Sequence, residues 1–164
     1  MMREFVEKLI SDYPKMLSTR AFLKKQIESY VPVTVEDIID TLTFTQPGGE
    51  RVQTSNLSDK TCTVALLYRD RVNQMNEEVI GEWVKEYDRL DEEIGFLEHC
   101  IRKLPGDLSD VMSTLVLDGS TWDEAEGYLY MSRKTIWSRR QEAIRLLTLE
   151  YQKRASRMEA VMLS

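Results

Sequence analysis

Apolar residues recur at steps of three and four along most of this chain, which is the spacing of residues that share one face of an α-helix. Phe5, Leu9 and Tyr13 predict a short first helix that ends at Pro14, because proline removes a backbone donor and clashes with the preceding turn. A second helix is predicted from Lys15 to Tyr30. Alternation of apolar and polar residues, the sign of a half-buried strand, is scarce, so the pattern predicts an all-α fold.

The longest regular stretch is a heptad seam, in which apolar residues step by three and four without a break. A seam of this length predicts one long helix that packs against at least one other helix. The seam consists of Ile80, Trp83, Tyr87, Leu90, Ile94, Leu97, Ile101 and Leu104.

The positions beside the seam are acidic. With Ile80 taken as position a, Glu86 and Glu93 occupy g, and Asp91 and Glu98 occupy e. A parallel homodimer would set these like charges against each other. We therefore predict that the seam packs in a helical hairpin against the basic segment 15–30 of the same chain. A homodimer through the seam is the less favoured alternative, and a homodimer through residues beyond 147 also stays open. The bases of that segment include Arg20, Lys24 and Lys25.

Several segments interrupt the helical pattern. Val31-Pro32-Val33 predicts a break, since the residue before proline avoids helical geometry. Residues 34–37 form a predicted capping box that opens another helix. The segment Gln46 to Ser58 contains Pro47-Gly48-Gly49 and is the predicted site of disorder, and Leu104-Pro105-Gly106 predicts a boundary.

The chain's most informative stretch, residues 120–147, predicts two helices that meet at a tight turn. Ser120 or Thr121 is placed to cap the first helix, whose opening turn is acidic. Ser132 is placed to cap the second, which is strongly basic. This order of elements is typical of a helix-turn-helix DNA reader, in which the second helix enters the major groove. An ordinary basic surface helix in a bundle is the alternative interpretation.

The predicted second helix has two faces. Ile136, Ala143, Ile144 and Leu147 fall on one side and are predicted to be buried. The other side offers side chains that bind base edges or phosphates, and the first turn also offers free backbone amides to a phosphate. The predicted DNA-binding residues are Arg133, Lys134, Thr135, Trp137, Ser138, Arg139, Arg140, Gln141 and Arg145.

Charge is unevenly distributed along the chain. The net charge is −6, which by itself argues against a nucleic-acid partner. Residues 131–164 nevertheless hold eight bases and three acids, a balance of +5, whereas residues 77–110 hold four bases and eleven acids, a balance of −7. We expect such a dipolar molecule to approach a polyanion such as double-stranded DNA with its basic end.

The composition supplies no sign of catalysis, of a metal or of a cofactor. Cys62 and Cys100 are far apart, and the single histidine, His99, faces away from its neighbour Cys100 on a helix. No phosphate loop or nucleophile motif is present. We expect a non-enzyme with two free thiols, without a signal peptide or a membrane span, located in the cytoplasm.

Several segments of the chain resemble phage and prophage transcriptional regulators of the ArpU and RinA type. They are residues 50–61 (Glu-Arg-Val-Gln-Thr-Ser-Asn-Leu-Ser-Asp-Lys-Thr), the long helix, Leu104-Pro105, Thr121-Trp-Asp-Glu and Met131-Ser-Arg-Lys-Thr-Ile136. The resemblance implies a C-terminal helix-turn-helix similar to region four of bacterial sigma factors, and activation of late packaging or structural genes. Where the family pattern has Glu-Ile-Ala, this chain has Glu124-Ala125-Glu126, and Arg140 is a candidate partner for the additional carboxylate.

The predicted organisation has three parts: an N-terminal helical hairpin or coiled-coil region at 1–104, a helix-turn-helix domain at 105–150 and a basic helical tail at 151–164. Two other functional classes stay open. A small terminase subunit also combines DNA-binding helices with coiled helices. A module that binds bacterial RNA polymerase would use the acidic helix or the tail, where Tyr151, Met158 and Val161 extend an apolar seam.

Overall fold

The structure is a computed structural model that describes residues 1–32, 34 and 59–164, with the backbone alone at 59–68. Its helices are α1 (Met2–Ser29), α2 (Asp59–Arg102), α3 (Asp107–Met112), α4 (Trp122–Leu129) and α5 (Arg133–Leu163), and a π-helical turn spans Ser113–Leu117. The described part of the chain contains no strand, which confirms the predicted all-α fold. The predicted capping box (Thr34 apart) and the predicted loop at 46–58 lie outside the described residues.

The described chain divides into two compact units, Met1–Ala21 with Asp88–Ser164, and Phe22–Tyr87. In the second unit Leu23 and Val72 are buried, and the Tyr30 and Trp83 rings meet edge to face with centroids 5.6 Å apart. The Tyr30 hydroxyl donates a hydrogen bond to Asn76 Oδ1. These contacts join residues of α1 to residues of α2, as a helical hairpin requires.

Three helices build the main core of the first unit. The seam predicts that α1 packs against α2, and α5 packs beside both. The Tyr13 hydroxyl of α1 donates to Glu98 Oε1 of α2 at 2.6 Å, and the Phe96 ring of α2 lies 4.8 Å from the Tyr151 ring of α5. Arg20 pairs with Asp91 at 2.9 Å, so a predicted basic residue does meet a flank of the seam. The buried side chains of the three helices include Val6, Ile10, Leu90, Ile94, Leu97, Ile101, Ile144 and Leu147.

The predicted break at Pro14 is wrong, because α1 continues through this residue. Proline deprives the Ile10 carbonyl of its helical donor, which costs an isolated helix about 3 kcal/mol. Contacts on both sides of the proline offset this cost: Tyr13 is buried and bonded to Glu98, and Arg20 is paired with Asp91. Tertiary packing therefore overrides the local preference.

The helices after α2 form a smaller core. Leu104-Pro105-Gly106 separates α2 from α3, with Gly106 at φ +59°, so the predicted boundary at this point coincides with a break between helices. Val111 of α3, Ala125 of α4 and Ile136 of α5 are fully buried together. The predicted division into 1–104, 105–150 and 151–164 stays a prediction, and α5 passes through residue 150 without interruption.

Candidate nucleic-acid interface

A three-residue turn, Tyr130-Met131-Ser132, joins α4 to α5. Thr121 caps α4: its Oγ1 accepts from the Glu124 amide at 3.2 Å and donates to the Glu124 carboxylate at 3.0 Å. Ser132 caps α5 by accepting from the Thr135 amide at 3.3 Å. Both helix starts are thus fixed by side chains, which sets the direction in which α5 leaves the turn.

The two predicted faces of α5 are separated in the structure. Ile136, Ala143, Ile144 and Leu147 have no exposed surface, as predicted from their spacing. On the far side Lys134, Trp137, Ser138 and Arg145 are exposed, and Gln141 is half-buried. The side chains that the sequence assigns to DNA therefore lie where a large ligand has access to them.

Three of the predicted DNA-binding arginines form ion pairs within the chain. Arg133 Nη2 lies 2.5 Å from Asp123 Oδ1, Arg139 Nε lies 3.1 Å from Asp107 Oδ2, and Arg145 Nη2 lies 2.6 Å from Glu142 Oε1. The hydrogen bond from Arg145 lowers the pKa of the Glu142 carboxyl below its usual range. All six side chains are more than a third exposed, so solvent screens these pairs and a phosphate competes with each carboxylate at small cost.

Lys134 and Arg140 form no ion pair with any described residue, which leaves their charges available to a ligand. Thr135 is tied to the cap, since its Oγ1 lies 2.9 Å from Ser132 Oγ. Trp137 is 56% exposed and, with Trp122, Arg133 and Lys134, lines an open surface groove of about 580 Å³. An exposed indole beside two cations fits a nucleic-acid surface, where rings contact bases and cations contact phosphates.

Glu126, the residue that departs from the pattern of the ArpU and RinA type regulators, does not disturb the contact between α4 and α5. Ala125 is the small residue at that contact and is fully buried. Glu126 is half-buried, and its Oε1 lies 3.9 Å from Arg133 Nε. The expectation that Arg140 pairs with this carboxylate is therefore wrong, because Arg133 is the nearby base.

Sequence reasoning missed one neighbour of this surface. Arg3, near the start of α1, donates from Nη2 to Gln141 Oε1 on α5. Arg3 and Gln141 are separated by 138 positions, and no periodicity or motif connects two residues that far apart. The basic surface of α5 thus extends onto the first turn of the chain.

The remaining described residues supply little chemistry. No group of three metal-ligating side chains occurs among them, and none of their helices is long and apolar enough to cross a membrane. Cys100 is buried, and this burial raises the pKa of its thiol and lowers its reactivity. Comparison of the chain with models of protein families, with curated proteins and with solved structures found no match.

Proposed function

We propose that this chain is a transcriptional regulator of the ArpU and RinA type, which binds promoter DNA of a phage or prophage and activates late genes. The observation that carries the proposal is the stripe of Lys134, Trp137, Ser138 and Gln141 on α5. Their offsets of 0, 3, 4 and 7 residues place them on one side of the helix, directly after a capped turn. Residues at the start of the second helix of a helix-turn-helix contact base edges.

Two features support double-stranded DNA as the ligand. The opposite face of α5 is held by the Val111, Ala125 and Ile136 cluster, so the stripe is presented by a packed helix. The charges also favour one orientation, because residues 131–164 carry +5 whereas residues 77–110 carry −7. A duplex would meet the basic side first.

The test is the affinity of the full chain for duplex DNA at increasing salt. A fragment that begins at Leu104 lacks Phe5 and Phe96, whose rings lie 6.0 and 4.8 Å from the Tyr151 ring, so the full chain is the proper material. Log affinity should fall linearly with log salt, by about 0.9 for each phosphate neutralised.

Two substitutions of equal charge locate the interface. Lys134→Ala should weaken binding to a preferred site by about 1 to 3 kcal/mol. Arg157→Ala removes the same charge from the exposed far end of α5, about 35 Å along the helix, and should leave the affinity nearly unchanged. No binding at low salt by the folded chain would contradict the proposal. Footprinting on the host phage genome would test the late-gene role.

The exposed end of α5 favours a second activity, contact with a protein such as bacterial RNA polymerase. Tyr151 is used inside the chain, but Met158, Val161 and Met162 beyond it are exposed. If the polymerase binds there, Met162→Glu should remove its capture by the full chain and leave DNA affinity intact. Sedimentation of the free protein separates both roles from a terminase subunit, which would form a ring.

A further inference from the structure

Arg3 is held at both ends of its guanidinium. Nη2 donates to Gln141 Oε1, and Nε donates to Glu7 Oε1 at 3.4 Å. The backbone of this turn is fixed as well, since Val6 is fully buried and the Phe5 ring meets the Tyr151 ring at 6.0 Å. Arg3 therefore reaches Gln141 from a packed helix, while about half of its side chain faces solvent.

Gln141 is in a position to face a base. It is the ninth residue of α5, about 12 Å from the start of the helix, and shares its side with Trp137 and Ser138. It is half-buried, and its Oε1 accepts from Arg3 of α1. Because the oxygen is engaged with a cation, the Nε2 group supplies the donors of this amide.

This orientation changes which base the amide suits. A free glutamine pairs with adenine, because its oxygen accepts from N6 and its nitrogen donates to N7. Here a guanidinium lies against that oxygen. Its positive charge repels the amino group at N6 of adenine and attracts the carbonyl O6 of guanine. With its oxygen held by Arg3, Gln141 presents its Nε2 donors, which match the acceptors N7 and O6 of guanine.

We infer that Arg3 is a positioning residue for Gln141, and that their contact makes α5 select guanine over adenine at the base that Gln141 faces. The inference rests on the proposed DNA-binding function and adds a sequence preference to it. It also assigns a role in recognition to the first turn of the chain, far from the helix-turn-helix in sequence.

The test is selection of preferred sites from a random duplex pool by the full chain. The wild-type protein should enrich guanine at one position. Arg3→Ala should reduce the ratio of guanine to adenine there by about tenfold, within the range for a bidentate base contact, and leave the other positions unchanged. Lys8→Ala is the matched control, because it removes one exposed charge from the same helix without touching Gln141.

Further variants separate positioning from a general effect on folding. Gln141→Ala should abolish the same preference, and adding Arg3→Ala to it should change nothing more, because the two residues act as a pair. Arg3→Lys keeps a charge and a donor, so it should restore part of the preference. It also carries the test if Arg3→Ala melts below the assay temperature by circular dichroism.

The outcomes are distinct. If the wild-type chain has no affinity for any duplex, the DNA-binding function and this inference both fall. If it binds and selects sites, but the ratio of guanine to adenine is the same with and without Arg3, only the present inference is overturned. Additive effects of the Arg3 and Gln141 substitutions would also overturn it.

Discussion

Glu93 of α2 and Arg154 of α5 form an ion pair of 3.0 Å, and the same guanidinium lies 4.3 Å from the centre of the Phe96 ring. Both side chains are less than a quarter exposed. The acidic residues beside the seam therefore pair with arginines of two helices, Arg154 of α5 and Arg20 of α1. The Arg154 side chain thus pairs with the Glu93 carboxylate and also packs over the Phe96 ring.

Arg154→Met should destabilise the protein by about 1 to 2 kcal/mol, because it leaves the half-buried Glu93 unpaired and removes the cation from the Phe96 ring. The free energy of unfolding in urea measures this. Lys153→Met is the matched control, since its pair with Glu150 is mostly exposed and contributes well under 1 kcal/mol. Equal losses from the two substitutions would contradict the assigned role.

Leu90→Asp should unfold the first unit, and the loss should not depend on protein concentration. Leu90 is 4% exposed inside its own chain, and an unpaired buried charge costs several kcal/mol. His99→Asp adds the same carboxylate at an exposed position of α2 and should be tolerated. Thermal melting at several concentrations tests the point. A folded monomer after Leu90→Asp would instead mean that the seam joins subunits.

Tyr13 and Tyr151, both buried, should respond oppositely to loss of the hydroxyl. Tyr151 Oη is buried and has no hydrogen-bond partner in the described part of the chain, so Tyr151→Phe should be neutral or stabilise by about 1 kcal/mol. Tyr13→Phe leaves Glu98 without its donor at 2.6 Å and should cost about 1 to 2 kcal/mol. Urea unfolding compares the pair. A stabilising Tyr13→Phe would contradict this assignment.

The free energy of unfolding should fall at alkaline pH because of the ionisation of Tyr13. Burial, together with the hydrogen bond and charge of Glu98, raises the pKa of Tyr13 from 10.0 to about 12. A group with a raised pKa stabilises the fold fully below its unfolded value, so this contribution is lost as pH rises from 10 through about 12. The free energy of unfolding should therefore drop more steeply over this range in the wild-type protein than in Tyr13→Phe. Parallel curves for the two proteins would refute the claim.

The turn before α5 offers a stabilising substitution. Tyr130 adopts a left-handed conformation with φ +53° and is almost fully exposed, so glycine relieves backbone strain there without loss of burial. Tyr130→Gly should stabilise by about 0.5 to 1 kcal/mol. Tyr128→Gly is the control, because it places glycine within α4 and should destabilise by about 0.5 kcal/mol. Melting temperatures that shift in the same direction would exclude this explanation.

The parts of the structure that local chemistry dictates were predictable from the sequence. The spacing of Ile136, Ala143 and Ile144 marked the buried face of α5, and Ser132 marked its start. Features that depend on distant partners were not predictable. Helix α1 crosses Pro14 because Tyr13 and Arg20 are held by α2, a contact that no local rule contains.

The candidate site also combines features that local sequence predicts with features that depend on distant partners. The exposed side chains of α5 follow from helical periodicity. The acids that pair with Arg139 and Arg133 lie on α3 and α4, and the arginine that is inferred to orient Gln141 lies on α1. Such neighbours are fixed by the angles at which helices pack, which a single sequence does not encode in any short pattern.

Helix α5 runs for 31 residues, about 46 Å, without a break. Its first turns carry the stripe from Lys134 to Gln141 that is proposed to contact bases. Tyr151 and Arg154 lie further along the same helix. Because α5 is continuous, a protein that binds Met158 and Met162 and tilts the helix would also change the orientation of the stripe. Such a partner would alter the proposed DNA contact without touching the DNA.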